Sequence, residues 1–99
     1  MTYKAVVIKG EDKVDPDPVK INSNKSEEII WCSEVDEEYT IEFDKHDMFG
    51  KNSITVDAKE WKSSGPLKNG TRGEICNYLA YPTRKGKTAA ADPQIIIDP

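Results

Sequence analysis

The sequence is poor in the side chains that build catalytic and metal sites. It contains one histidine and two cysteines among 99 residues. Nucleophilic catalysis needs a serine, threonine or cysteine beside a base, and the chain contains no Gly-x-Ser-x-Gly elbow to supply one. The two cysteines, Cys32 and Cys76, are too far apart in the sequence for a CxxC metal or redox motif. We therefore predict a protein that is not an enzyme, with no catalytic residues and no cofactor.

Long apolar runs and an excess of positive charge are also missing. The longest uninterrupted apolar runs, at 5–8 and 95–97, have three to four residues, whereas a membrane-spanning helix needs about 20. The formal net charge is −4, which opposes binding to a phosphate backbone. We predict neither membrane insertion nor nucleic-acid binding.

The first residues lack the features of a secretory signal, because no apolar middle and small-residue cleavage site follow Met1. The sequence therefore predicts a cytoplasmic protein, or a periplasmic one if Met1 replaces a removed signal peptide. Thiols in the cytoplasm stay reduced, which favours free Cys32 and Cys76. A disulfide between them is the other interpretation, and it would close a loop worth about 4 kcal/mol in the chain-entropy model.

The composition and patterning predict one all-β domain that spans residues 1–99. Apolar residues make up 36% and charged residues 32% of the chain, a balance typical of a compact globular domain. Apolar and polar residues alternate with a period of two, and no long segment has a helical period. We predict an antiparallel sandwich or barrel of about seven short strands, at Tyr3–Lys9, Val19–Ile21, Ile29–Ser33, Tyr39–Phe43, Ser53–Asp57, Glu74–Tyr81 and Gln94–Ile97.

The stretch Ile29–Phe43 is the predicted centre of this fold. It holds two alternating runs joined by an acidic turn at Glu34–Glu38. Alternation places Ile29, Trp31 and Ser33 on one face of the strand, and we expect that face to be buried. Near the end of the chain, the continuous apolar run in Gln94–Ile97 is typical of a strand buried on both faces.

Two segments are expected to be irregular. The segment 11–18 contains two prolines, each preceded by Asp, which favour a loop with extended backbone. The segment 58–73 contains several Gly and Pro turn signals. In it we expect a helical turn at Ala58–Lys62, with Trp61 and Leu67 as the main apolar anchors.

Three pieces of the sequence, taken together, resemble a known family. DPDPVKI followed by EEIIWCS, then EEYTIEF, then RGEICNYLAY followed by ADPQIIIDP resemble the strand pattern of cupredoxins, in particular small bacterial cupredoxin-like proteins of the plastocyanin and azurin type. The resemblance extends from about Val14 to Pro99, and it implies a Greek-key β-sandwich. The alternative is an immunoglobulin-like or other sandwich with coincidental patterning.

The resemblance implies a copper site that this chain cannot complete. A blue-copper centre uses two His, one Cys thiolate and a weak axial ligand, usually Met. Tyr39 occupies the position of the family's first His ligand, and no Cys-x-x-His-x-x-x-Met segment follows the strand that contains Cys76. Because one imidazole cannot replace two, we predict no metal and no blue-copper site within one chain.

Two charged segments have weaker metal-binding interpretations. His46 lies between Asp44, Asp47 and Met48, where it is either one ligand of a weak divalent-metal site or, as we favour, an exposed loop histidine. The acidic turn Glu34–Glu38 lacks the spaced oxygens of a calcium loop. We expect it to be solvated and able to steer a basic partner.

The sequence also indicates a candidate partner surface, made of Tyr39, His46, Met48 and Phe49. These residues would form a small apolar patch at the end of the sandwich where cupredoxins hold copper, unless Phe49 instead closes the open end of the core. Our hypothesis is a non-catalytic, metal-free binding or structural module whose partner and oligomeric state stay open. The alternative is a metal-handling or redox protein that uses Cys32, Cys76 and His46 in a non-standard or intermolecular site.

Overall fold

The computed structural model describes residues 2–10, 13–22, 27–68 and 73–98. These residues form an all-β structure with one short 3-10 turn at Gly86–Ala89. None of their helical segments is long and apolar enough to cross a membrane. The strands are β1 (Thr2–Gly10), β2 (Lys13–Asp15), β3 (Val19–Asn22), β4 (Glu27–Ser33), β5 (Tyr39–Phe43), β6 (Ser53–Val56), β7 (Trp61–Ser63), β8 (Ile75–Pro82) and β9 (Gln94–Asp98).

The strands belong to two sheets that enclose the apolar core. One is four-stranded with the order β2-β1-β4-β7, and the other is five-stranded with the order β3-β9-β8-β5-β6. Both sheets are mixed, because β1 pairs with β4 in parallel and β3 pairs with β9 in parallel. The prediction of purely antiparallel pairing is therefore wrong. Alternation in a sequence reveals which face a residue occupies and not which strand lies beside it.

All seven predicted strands are present, and the structure adds β2 and β7. Both additions have three residues and lie in segments predicted as a loop and a helical turn. The predicted loop includes residues 11 and 12, which are outside the described part of the chain. Strands of three residues contain too few alternations to be recognised by periodicity, and β7 depends on its pairing with β4.

The face predicted for Trp31 is confirmed. The side chains of Ile29, Trp31 and Ser33 are fully buried, with 0% exposure, whereas Ile30 and Cys32 are partly exposed. The acidic turn after Ser33 carries the chain from the four-stranded sheet into the five-stranded one. The two runs of the central stretch thus face each other across the core.

Two expectations about apolar residues are wrong. Trp61 is 53% exposed; it pairs with Cys32 across β4 and β7, and cross-strand partners lie on the same face of a sheet, here the outer one. In β9, Ile95 and Ile97 are buried, but Ile96 is only partly so. Ile96 pairs with Ile75 on the outer face of the five-stranded sheet, where Ile75 is 57% exposed.

The core of the molecule is an aromatic cluster around Trp31. Its ring lies 5.6 Å from Tyr78 and 5.8 Å from Phe43, measured between centroids. Phe49 extends the cluster, with its centroid 5.2 Å from that of Phe43. Trp31 belongs to the four-stranded sheet and its first two partners to the five-stranded sheet, so these contacts join the two layers.

We predict that Trp31→Ala lowers the free energy of unfolding by about 3 to 5 kcal/mol, because it removes the largest fully buried side chain. The matched control is Trp61→Ala, which should change stability by no more than about 0.5 kcal/mol because that ring is exposed. Urea denaturation of both variants measures the difference. A loss below about 1 kcal/mol for Trp31→Ala would show that the Trp31 side chain is not packed in the core.

Candidate functional site

The four residues of the predicted partner surface lie at two different ends of the molecule. We call the end where β4 finishes and β5 begins the upper end, and the end where β5 finishes and β6 begins the lower end. Tyr39 starts β5 at the upper end, while His46, Met48 and Phe49 follow its lower end. The structure therefore does not bring Tyr39 together with the other three.

Three of the four side chains are also buried. Tyr39, Met48 and Phe49 are each 1% exposed, and Phe49 packs on Phe43. The prediction of an exposed apolar patch is wrong for these residues, because the loop after β5 folds back and places its apolar side chains in the core. The alternative, in which Phe49 closes the open end of the core, agrees with the observed packing. His46 alone of the four is exposed.

The upper end is closed by contacts between oppositely charged segments. Within the acidic turn, the carbonyl of Glu37 accepts a hydrogen bond from the Ser33 hydroxyl at 2.8 Å. The Arg84 Nε lies 2.5 Å from the Glu37 carboxylate, and the Thr83 N–H donates to the Glu38 carbonyl at 3.1 Å. The acidic turn and the basic segment that begins at Arg84 thus contact each other, so part of the turn's charge is neutralised within the chain.

The concave site that contains His46 is a cleft of about 280 Å³. It lies on the five-stranded sheet, where β5 and β8 are neighbours. Glu42, Asp44 and His46 line one side, and Asn77 and Asp92 line the other. We call it the His46 cleft.

Two hydrogen bonds hold Glu42 in this cleft. Its carboxylate accepts from the Lys87 ammonium at 2.8 Å and from the Tyr81 hydroxyl at 3.2 Å. The hydrogen bond from Lys87 lowers the pKa of Glu42 below its usual value of 4.5, against the opposing effect of partial burial. Burial in turn raises the pKa of Tyr81, and the Glu42 charge adds to this effect. Glu42 is therefore a fixed anion at neutral pH.

The opposite wall of the cleft is also polar. The Asn77 amide donates to an Asp92 carboxylate oxygen at 3.1 Å, and the Asp44 N–H donates to the Asn77 carbonyl at 3.3 Å. Lys45, next to Asp44, is paired with Glu74 at 2.8 Å and does not line the cleft. Three carboxylates, those of Glu42, Asp44 and Asp92, therefore line the cleft, and the ammonium of Lys87 is paired with the first of them.

The residues of the redox alternative are not assembled into one site. Both cysteines are free thiols in the structure. Cys32 lies on the outer face of the four-stranded sheet, whereas Cys76 is 7% exposed and faces the core from the five-stranded sheet. Burial raises the pKa of Cys76 to about 11. Within the described residues, no three His, Cys, Asp or Glu side chains are grouped so that they could hold a metal ion.

Sequence reasoning found His46 and Asp44 but missed most of the cleft. Glu42 belongs to the polar face of the predicted strand 39–43, and Asn77 to the corresponding face of β8. The register places Glu42 opposite Leu79, which lines the cleft with them. The alternation of apolar and polar residues predicts which face of its strand each side chain occupies. It does not predict that β5 pairs with β8, and this pairing is what brings the side chains together.

No family model matches the chain, and no curated protein matches it.

We predict that Lys87→Gln raises the pKa of Glu42 towards its ordinary value, because the variant removes the hydrogen bond that lowers it most. A carboxyl whose pKa is depressed on folding contributes stability above its unfolded pKa, and this contribution disappears as the pH falls through the folded pKa. The variant should therefore lose less stability between neutral and acid pH than the wild type. Carbon-detected NMR titration of Glu42 measures the shift; Lys20→Gln, on the exposed surface of β3, is the control and should leave the Glu42 pKa unchanged.

The thiols should differ in reactivity towards a disulfide reagent. At about pH 8 only about one in a thousand Cys76 side chains is ionised if its pKa is about 11, and the sulfur is buried as well. Cys32 should react first in the native protein, so Cys32→Ser should remove the fast phase and Cys76→Ser should keep it. Equal rates in the folded protein, or a fast phase that survives Cys32→Ser, would contradict the burial of Cys76.

Proposed function

We propose that the chain is a non-catalytic, metal-free binding module with a cupredoxin-like Greek-key β-sandwich, and that its partner binds at the His46 cleft. The observation that carries the proposal is the cleft itself, a concave site in which three carboxylates surround a small opening. The module has reduced thiols, and a cytoplasmic location belongs to the same proposal.

The arrangement of the strands supports the cupredoxin-like part. The pieces of sequence that resemble the family fall on strands of both sheets: EEIIWCS is β4, YTIEF is β5 and ICNYLAYP is β8. The chain passes from one sheet to the other between β4 and β5, as a sandwich with crossing connections requires.

The environment of Tyr39 supports the metal-free part. Tyr39, at the position of the family's first His ligand, is 1% exposed and carries a phenol in place of an imidazole. The single histidine, His46, lies beyond the other end of β5, so it cannot substitute for the missing ligand at the upper end. Stoichiometric copper with an intense blue absorption band in the purified protein would contradict this part.

The size and charge of the cleft define the group that it fits. Pockets for whole small-molecule ligands have volumes of about 300 to 1,000 Å³, and this cleft, at about 280 Å³, is at the lower limit. It has room for one side chain of a partner, and its three carboxylates favour a cation. Glu42 and Asp92 are already oriented by neighbouring hydrogen bonds, so little ordering is needed on binding. We therefore propose a protein partner that inserts a lysine or arginine side chain.

We predict that a short arginine-containing peptide shifts the amide NMR signals of His46, Asn77 and Leu79, whereas a glutamate-containing peptide of the same length does not. The double variant Asp44→Asn, Asp92→Asn should weaken binding severalfold, because it removes two of the three charges at the opening.

The matched control is Glu34→Gln, Asp36→Asn, which removes the same number of charges from exposed residues at the upper end. It should keep most of the affinity. An equal loss in both double variants would show a general effect of net charge rather than a site. Absence of shifts at the cleft would contradict the proposed binding site.

A further inference from the structure

The two sheets end in four edge strands in the described part of the chain, and three of them have features that hinder pairing with another strand. β2 and β7 have three residues each and contain lysine. β3 contains Lys20 and directly follows Pro18. Short length, lysine and proline are the usual protections of a sheet edge against an added strand.

The fourth edge strand, β6, has four residues, as β3 does, but it contains neither lysine nor proline. Its sequence is SITV, without charge or proline. Ser53 and Thr55 are exposed, while Ile54 and Val56 face the core at 6% and 0% exposure. The strand is therefore held in an extended form by its apolar side chains, and no strand in the described part of the chain pairs with its outer edge.

The backbone of β6 presents hydrogen-bonding groups at this edge. The Phe43 N–H donates to the Asn52 carbonyl at 2.9 Å, so residues 43 and 52 form a hydrogen-bonded pair. In an antiparallel ladder such pairs alternate with non-hydrogen-bonded ones. With the observed register, Ile54 and Val56 bond to β5, and the N–H and C=O groups of Ser53 and Thr55 point away from it.

We propose that β6 is a dimerisation edge, which pairs in antiparallel orientation with β6 of a second copy of the chain. In the register that we infer, Ser53 lies opposite Thr55 of the second copy, and the two Ile54 residues meet at the two-fold axis. This register uses the four outward-pointing backbone groups on each strand in four hydrogen bonds. It also keeps the core-facing side chains of both copies on one face, as the two-residue period of a strand requires.

The charges that flank β6 favour a second copy over a foreign strand. Lys51 and Asp57 are exposed and flank the strand on either side, each an even number of residues from Ser53. A two-fold antiparallel pairing places Lys51 of one copy opposite Asp57 of the other, twice. A parallel pairing in register would place like charges together, so the edge is complementary to itself in one orientation only.

The dimer would be a continuous sheet formed from the two five-stranded sheets. The His46 cleft lies over β5 and β8 rather than at the β6 edge, and it stays open. This proposal therefore does not depend on the proposed function, and each can fail without the other. The interface is small, so we expect a weak dimer whose population depends on concentration.

The test is sedimentation equilibrium of the whole chain between about 10 μM and about 1 mM. We expect the apparent mass to rise from the monomer value of 11.1 kDa towards twice that value. Lys51→Glu and Asp57→Lys should each weaken the dimer about twofold to 25-fold, because each substitution breaks both symmetry-related exposed ion pairs. The double variant should restore the wild-type affinity, because the reversed pair is again complementary.

A proline scan of the edge gives an independent result. Thr55→Pro removes an outward N–H that β5 does not use, a position where edge strands accept proline, and it should abolish the dimer. Thr55→Ser is the matched control and should leave it intact. Circular dichroism checks that each variant is folded. If Thr55→Pro does not fold, the Lys51→Glu and Asp57→Lys variants and their combination still decide the question. A monomer at all concentrations, or a dimer insensitive to both sets of variants, would overturn the proposal.

Discussion

The structure depends on the contact between Trp31 and Tyr78 across the core. The indole N–H donates to the Tyr78 hydroxyl at 3.4 Å, and the two rings meet edge to face at 74°, a geometry that aromatic quadrupoles favour. Burial raises the pKa of Tyr78 well above its ordinary range. Its hydroxyl therefore stays neutral and accepts the hydrogen bond from the indole N–H. The indole donor is thereby paired with an acceptor although both large aromatic side chains are buried. This pair joins the two sheets across the core.

The distribution of charge follows from how the chain closes its two ends. At the upper end, Arg84 meets Glu37, so the acidic turn and the basic segment that begins at Arg84 partly neutralise each other. At the lower end, Phe49 fills the space beside Phe43 and leaves His46 outside. The net charge of −4 is therefore not spread evenly, and the His46 cleft keeps more carboxylates than cations.

The sequence was sufficient for the faces of the long strands and insufficient for their partners. Trp31 and Cys32 were placed on opposite faces because alternation over several residues is a direct consequence of extended backbone. Trp61 was misplaced because its strand has three residues and its orientation is fixed by its pairing with Cys32. The predicted partner surface combines Tyr39 with Phe49 because they are close in the sequence. In the structure Tyr39 begins the five-residue strand β5 and Phe49 follows its other end, so the two residues lie at opposite ends of that strand. Pairing and strand ends depend on contacts between distant residues, and a local pattern does not contain them.

The cleft and the β6 edge are separate surfaces that share one strand. Glu42 lines the cleft and lies opposite Ser53 in the ladder of β5 and β6, so the backbone that positions a cleft carboxylate also supports the edge. Ile54 and Val56 bond to β5 on one side and pack into the core below, whereas the carboxylate of Glu42 is held by Lys87 and Tyr81, which lie on the other side of β5 from β6. The side chains that orient the cleft and the backbone groups that face outward from β6 are therefore different groups, so a strand added at the edge leaves the contacts of Glu42 in place.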